Sequence, residues 1–233
     1  ADKIAVTGKI DASGKAGGGK VFVGGDYLGG KQGAKKYADT PIKNAKATVV
    51  TDNAIIDVSA KDAGNGGTAI VWSDDYTNFA GTIHATGGAM GGDGGFVETS
   101  SKDNLQATGF AHANAQVAGY QAGTWLLDPR NLTISTSTTN GAFDGGSPNI
   151  FTPTADTATV LNTSINTSLN AGTTVILNTG STGTQNGNIT IGADISKTSG
   201  GDAGLILRAA GSIVNSGTTS ISSTSGRLHV KLN

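Results

Sequence analysis

The residues that could do chemistry in this sequence are few, and their spacing fits known sites poorly. Two adjacent carboxylates follow a tryptophan in Trp72-Ser-Asp-Asp75, and pairs of acids cleave glycosidic bonds in many glycosidases. Neighbouring residues of a strand point to opposite faces, so Asp74 and Asp75 would share a site only at a turn. We interpret them as solvated turn acids, and the sequence predicts no catalytic residue.

Residues that bind metals are equally sparse. His84 and His112 occupy nearly equivalent positions of a repeat described below, so stacking could bring them close. Two histidines without a carboxylate at the same level make a poor metal site, so we interpret both as outward strand residues. The glycine run at 87–95 resembles a calcium-binding nonapeptide but occurs once. The absence of cysteine removes disulfides and thiolate ligands. We therefore expect neither a metal nor a cofactor.

A group of lysines is the best candidate for ligand contact. Segment 27–46 carries five of the sixteen basic residues, namely Lys31, Lys35, Lys36, Lys43 and Lys46. Loops that protrude from a rigid scaffold commonly carry binding, and an anionic glycan would suit this charge. The alternative interpretation is a solvated lid over one face of the fold.

Four asparagines match the N-glycosylation pattern: Asn131, Asn162, Asn166 and Asn188. Most such matches are accidental in a chain so rich in Asn, Ser and Thr. Asn162 and Asn166 are the candidate acceptors, because they lie in a segment that departs from the repeat described below.

Composition restricts the remaining functions. The net charge of −1 argues against a nucleic-acid partner. No apolar run approaches the roughly 18 residues that span a bilayer, so we expect a chain that is not membrane-spanning. Glycine occurs 37 times, and the apolar residues form short alternating clusters. This pattern is typical of short strands separated by tight turns.

Two sequence units recur with a nearly identical period. The first is a glycine before an alternating apolar strand, which returns at equal intervals at Gly67, Gly95 and Gly123. The second is an apolar residue before a polar turn, which returns at equal intervals at Ile56, Ile83 and Phe110. Each unit has too few apolar side chains to form a core alone, so stacked neighbours must share one. The fold predicted is all-β, a single parallel β-helix over residues 1–233.

This stacking has a specific consequence for three residues: Val71, Val97 and Leu126 should lie at equivalent levels with their side chains inward.

Three segments depart from the repeat. We expect a lysine-rich loop at 27–46, a Ser/Thr/Gly/Pro excursion at 135–156 with Pro148 and Pro153 as breakers, and a short helix at 159–170. In that helix Leu161, Ile165 and Leu169 would share a face, and Gly172 would follow its end.

Two motifs resemble a known family. The segment Gly91–Ser100 reads GGDGGFVETS, and Gly123–Ile134 reads GTWLLDPRNLTI. With Leu169–Thr179, they are similar in order and spacing to the filamentous-haemagglutinin-like exoproteins of Gram-negative two-partner secretion, especially the high-molecular-weight adhesins and haemopexin-binding relatives. The resemblance covers residues 7–233. The secretion-domain motif of that family is not found, so we expect a downstream segment of a longer protein.

The resemblance implies a right-handed parallel β-helix that is exported through an outer-membrane two-partner-secretion transporter to the exterior or cell surface of a Gram-negative bacterium. There it would adhere to a host or bacterial cell-surface glycan or protein. The Trp125–Pro129 motif is interpreted as structural, with Trp125, Leu126 and Leu127 filling one coil and Asp128 capping the turn at Pro129. The function expected is a rigid, non-enzymatic shaft segment of an adhesin. The alternatives are capture of a host protein such as a haem carrier by the loop and, less favoured, a β-helical glycan-degrading enzyme.

Overall fold

A computed structural model describes residues 1–138, 141–147, 149, 151–153, 156–180 and 185–233. The described chain is mostly β-strand, with several parallel sheets and one α-helix. No helix within these ranges is both long enough and apolar enough to cross a membrane.

Three extended parallel sheets dominate the described residues, and the chain visits them in turn. Sheet 1 contains β1 (Lys3–Val6), β4 (Ala47–Val50), β7 (Tyr76–Phe79), β10 (Asn104–Ala107), β13 (Leu132–Ser135), β16 (Ala158–Leu161), β18 (Ile189–Ile191) and β21 (Ile213–Asn215). Sheet 2 contains β2 (Lys9–Asp11), β5 (Ile55–Asp57), β8 (Thr82–His84) and β11 (Phe110–His112). Sheet 3 contains β3 (Lys20–Val23), β6 (Thr68–Val71), β9 (Phe96–Thr99), β12 (Thr124–Leu127), β17 (Thr174–Asn178), β20 (Ala203–Arg208) and β23 (Leu228–Leu232).

Four further strands, one helix and a tight turn complete the described elements. Strands β19 (Ile195–Lys197) and β22 (Ile221–Ser223) form a parallel pair. Strands β14 (Gly141–Phe143) and β15 (Phe151–Pro153) form an antiparallel hairpin. The helix is α1 (Asn162–Asn170), and Tyr27–Gly30 forms a tight turn in which Leu28 and Gly29 have positive φ.

The apolar core is shared by all three sheets, as the repeat predicts. Phe79 of sheet 1, Ile83 of sheet 2 and Trp125 of sheet 3 are fully buried in one continuous cluster. Trp125 packs edge-on against Phe79 with ring centroids 6.1 Å apart. Each repeat thus contributes a few side chains to a core that its neighbours complete.

The predicted equivalence of Val71, Val97 and Leu126 is wrong in its register. The three residues do lie on successive strands of sheet 3, but Val97 pairs with Ala69 and Trp125, and Val71 pairs with Thr99. Leu126 pairs with Glu98 on the opposite face. Because side chains alternate along a strand, an error of one residue moves a side chain from the core to the outer face.

The excursion at 135–156 changes the strand order of sheet 1. Strand β16 follows β13 in sequence but lies between β10 and β13 in the sheet. Val160 has Ala107 on one side and Ile134 on the other. The hairpin β14–β15 reverses the chain, which then returns beside β10. Pro153 ends β15, while Pro148 lies outside the described residues.

Helix α1 begins later than the predicted helix at 159–170, because Ala158–Leu161 pairs as strand β16. Ile165 and Leu169 are fully buried in the shared core. Gly172 follows the helix with a φ of +85°, the left-handed conformation that glycine adopts at helix ends.

Polar side chains join α1 to strands on both sides. Ser168 accepts a hydrogen bond from the Ala111 nitrogen of β11 at 3.2 Å. On the other side, Asn166 accepts from the Ser196 nitrogen of β19 at 2.9 Å. The helix therefore occupies the position of a strand, and its side chains replace the backbone ladder. This explains why weak helix formers such as Ser, Thr and Asn make up this helix.

Candidate functional site

The lysine-rich loop packs against the outer face of sheet 3. Tyr37 stacks on Phe96 of β9 with ring centroids 5.1 Å apart, and Tyr27 meets both rings edge-on at 5.7 and 5.6 Å. Asp26 orders the loop, since its carboxylate accepts from the nitrogens of Tyr27 at 2.7 Å and Tyr37 at 3.2 Å. The loop is thus anchored to the sheet by aromatic packing and by one buried acid.

A second buried acid lies beneath the loop. Glu98 of β9 is fully buried, and its two oxygens accept from the Leu28 nitrogen at 3.3 and 3.2 Å. Burial raises the pKa of Glu98 to about 8, although hydrogen bonds from Leu28 and Ser100 act in the opposite direction. Leu28 has a φ of +52°, a strained conformation for a residue with a side chain. The contact between loop and sheet therefore combines a perturbed acid with a strained backbone.

A cavity of about 410 Å³ opens between this loop and the turns that follow β6 and β12. On one side, Asn44 donates to the Gly29 oxygen at 3.0 Å and to Asp74 at 2.9 Å. The indole nitrogen of Trp72 lies 3.4 Å from the same Asp74 oxygen. Segments far apart in sequence thus converge on one carboxylate.

The opposite wall of the cavity is formed by the turn that contains Pro129. Burial raises the pKa of Asp128 to about 6, while the Asn178 amide, 2.7 Å away, and the charge of Lys31 favour its ionised form. Arg130 also lines the cavity and pairs with Asp103 at 2.6 Å. Basic and acidic groups therefore share this wall, an arrangement that suits a polar ligand with both donors and acceptors.

The five lysines of the loop are all exposed but do not converge. Lys31 lines the cavity, Lys35 lies 4.3 Å over the Tyr37 ring, and Lys46 pairs with Asp2 at 3.7 Å. Lys36 and Lys43 project from other parts of the loop. They form a dispersed positive surface rather than a single binding site.

The Trp125–Pro129 motif is divided between two environments. Trp125 and Leu127 are fully buried in the core, and the Trp125 indole donates to Thr99 at 2.9 Å. Leu126 points to the outer face and is 5% exposed. Asp128 accepts from Asn178 and lines the cavity. Packing accounts for the first part of the motif, whereas its acid belongs to the candidate site.

The two acids singled out in the sequence lie in different environments, whereas the two histidines lie together. Asp74 lines the cavity near Asp128, whereas Asp75 is exposed. His84 and His112 lie side by side with ring centroids 5.4 Å apart, and burial followed by the proximity of His84 lowers the pKa of His112. Among the described residues, no group of three or more His, Cys, Asp or Glu side chains could hold a metal ion.

The two candidate glycosylation sites use their amides within the fold. Asn162 donates to the Asp194 oxygen at 2.8 Å, and Asn166 accepts from the Ser196 nitrogen at 2.9 Å. Ser168, the third residue of the second pattern, is fully buried. These residues hold α1 against the following segment of chain.

Sequence reasoning missed Glu98 and the convergence of Asp74 with Asp128. Glu98 is the only glutamate of the chain and stands between two strand-forming residues, so its isolation was a usable signal. The other pairing depends on how the loop folds over sheet 3, which no local pattern reveals. A comparison with protein-family models and a search of curated proteins found no match to this chain.

Proposed function

We propose that this chain is a right-handed parallel β-helix that serves as a rigid shaft segment of a large adhesin. The adhesin would be exported by an outer-membrane two-partner-secretion transporter and act outside a Gram-negative cell, secreted or attached to its surface. Its contacts would be with a glycan or protein on a host or bacterial cell.

The observation that carries this proposal is the continuous parallel register of the three sheets. In sheet 2, for example, Ile10, Ile56, Ile83 and Ala111 succeed one another across the strands. Repeats stacked in this way extend a rod by about 4.8 Å per coil, so ten coils would span on the order of 50 Å. A rod held by backbone hydrogen bonds and a continuous core suits a part that must keep its two ends a fixed distance apart and bear force.

A loop-based contact is the second candidate function, and the packing of segment 27–46 favours it. The loop is anchored by Tyr27, Tyr37 and Asp26, yet it leaves its lysines exposed. A preordered positive surface loses little conformational entropy when it binds. It would suit an anionic glycan or an acidic face on a captured host protein such as a haem carrier.

Removal of one complete repeat tests the shaft. Deletion of segment 95–122 removes the stretch between two equivalent glycines, so Gly123 takes the position of Gly95 and the stack closes with one coil fewer. We expect a cooperative unfolding transition and a rod shorter by about 4.8 Å in small-angle scattering. Deletion of segment 95–108 removes half a repeat and is the matched control, which should not fold.

The functional readout uses the complete adhesin displayed on cells. The shaft proposal expects attachment to host cells to persist after deletion of the complete repeat, because a shaft sets reach rather than specificity. Loss of attachment in a folded, displayed deletion variant would contradict it.

A further inference from the structure

A second and larger cavity lies against sheet 1. This groove, of about 860 Å³, runs between the outer face of sheet 1 and the hairpin β14–β15. Asn78 and Gln106 form its floor, while Phe143 and Asn149 come from the hairpin segment. Its volume is within the range of pockets that bind small molecules.

Asn78 is the most informative residue of the groove. The residue is 2% exposed, its side-chain amide makes no hydrogen bond within the described residues, and its polar atoms are not among those that are both buried and unpaired. Its amide can therefore be reached from the groove. Because Asn78 lines the groove and lies in register beside Gln106, a ligand in the groove could form a hydrogen bond with its amide.

The rest of the lining has one chemical character. Hydroxyl groups come from both walls, among them those of Thr51, Thr108 and Ser147, and Asp52 is the one charged residue of the described lining. Hydroxyls and amides both donate and accept hydrogen bonds, as the hydroxyls of a sugar do. Phe143 is 49% exposed at the edge of the groove, where its flat face could cover a sugar ring.

We propose that this groove binds a neutral oligosaccharide, with the Asn78 amide hydrogen-bonded to a sugar hydroxyl on the floor and Phe143 against a ring face. A peptide fits less well, because the apolar residues of the floor are the small side chains of Ala5 and Ala80, which form no pocket for a large side chain. The inference concerns the groove alone and stands whether or not the chain is an adhesin shaft.

Binding of defined trisaccharides to the intact chain tests the proposal. The probes are neutral glucose, mannose, galactose and N-acetylglucosamine trisaccharides, with a sialylated trisaccharide and a library of short peptides as competitors. Saturation-transfer NMR and calorimetry measure binding at low and physiological salt. We expect at least one neutral trisaccharide to bind with little salt dependence, because no charge pair is formed.

Three variants locate the site. Asn78→Leu removes the amide at similar volume, and Phe143→Ala removes the aromatic face from an exposed position; each should weaken binding at least tenfold. Thr190→Val, on the same outer face of sheet 1 but outside the groove, is the matched control and should leave affinity unchanged. Phe143→Ala keeps the test valid if Asn78→Leu fails to fold.

The binding measurements either support the proposal or overturn it. Binding of a neutral trisaccharide that both groove variants weaken supports the proposal. It is overturned if no neutral trisaccharide binds at millimolar concentration, if only the sialylated sugar or peptides bind, or if affinity is the same in Phe143→Ala as in the unaltered chain.

Discussion

The two carboxylate oxygens of Glu98 lie 3.3 and 3.2 Å from the backbone nitrogen of Leu28. This contact joins the lysine-rich loop to a strand of sheet 3 that is distant from it in sequence. Because Glu98 is fully buried, its ionisation state and the packing of the loop are coupled.

Stability should fall as the pH rises toward 8 because of Glu98. Its folded-state pKa of about 8 lies above its ordinary value of 4.5, so the folded protein retains a proton that the unfolded chain releases. The resulting stabilisation is complete below pH 4.5 and is lost as the pH rises through 8. From pH 7 the free energy of unfolding should fall by about 1.4 kcal/mol per pH unit at first, and it should level off above pH 8, where Glu98 is ionised in both the folded and the unfolded chain. Urea denaturation measures it.

The Glu98→Gln variant is the control for this pH dependence. It keeps the shape of the side chain without the titration, so its stability should change little from pH 7 to 9. Asp128, with a pKa of about 6, and His112, whose pKa is lowered, both titrate below this window. An equal slope in the variant would show that another group is responsible.

The shared core should be sensitive to one central side chain. Ile83 is fully buried and lies in register between Ile56 and Ala111. Ile83→Ala should lower the free energy of unfolding by about 2–5 kcal/mol, and Ile83→Asp should prevent folding because it buries an unpaired charge. Replacement of Lys35 and Lys36 by Ala should cost less than about 1 kcal/mol, since only the contact of Lys35 with Tyr37 is lost. Equal losses would mean that the loop is structural.

The contact between α1 and β11 should depend on the hydroxyl of Ser168. Ser168→Ala leaves the Ala111 nitrogen without its partner in a buried site, which should cost about 1–3 kcal/mol in thermal or chemical unfolding. Thr163→Ala, at an exposed position of the same helix, should change stability by less than about 0.5 kcal/mol. A neutral effect of both changes would argue against the role of this hydrogen bond.

If the loop contacts an anionic glycan, the binding should weaken steeply between low and physiological salt. Heparin is a suitable probe, and surface plasmon resonance measures the affinity. Replacement of the five loop lysines by glutamine should abolish most of the heparin binding. These are Lys31, Lys35, Lys36, Lys43 and Lys46. The charge-matched control neutralises five exposed lysines elsewhere, at Lys3, Lys9, Lys15, Lys61 and Lys231.

That control separates a specific loop contact from general charge attraction. Loss of heparin binding in the loop variant alone supports the contact. Equal losses in both variants, or binding that does not change with salt, would exclude the loop as a specific site.

Periodicity in the sequence was sufficient to predict an all-β chain with stacked strands and a shared core. The spacing of the two units places Ile83 beside Ile56, and His112 beside His84. It is wrong by one residue at Phe110, which pairs with Thr82, so Ala111 lies beside Ile83. The helix near Ile165 and Leu169 and the turn glycine at Gly172 were also predictable, since they depend on local spacing.

Tertiary structure alone decided the features that join segments distant in sequence. The face of the sheet on which Leu126 lies depends on the strand register, and a shift of one residue reverses that face. The position of β16 between β10 and β13 depends on the hairpin that returns the chain. The burial of Glu98 and the placement of Asp74 and Asp128 in one cavity require the loop to fold over sheet 3. Such contacts depend on the sum of weak packing terms over the whole chain, and no local pattern of residues encodes them.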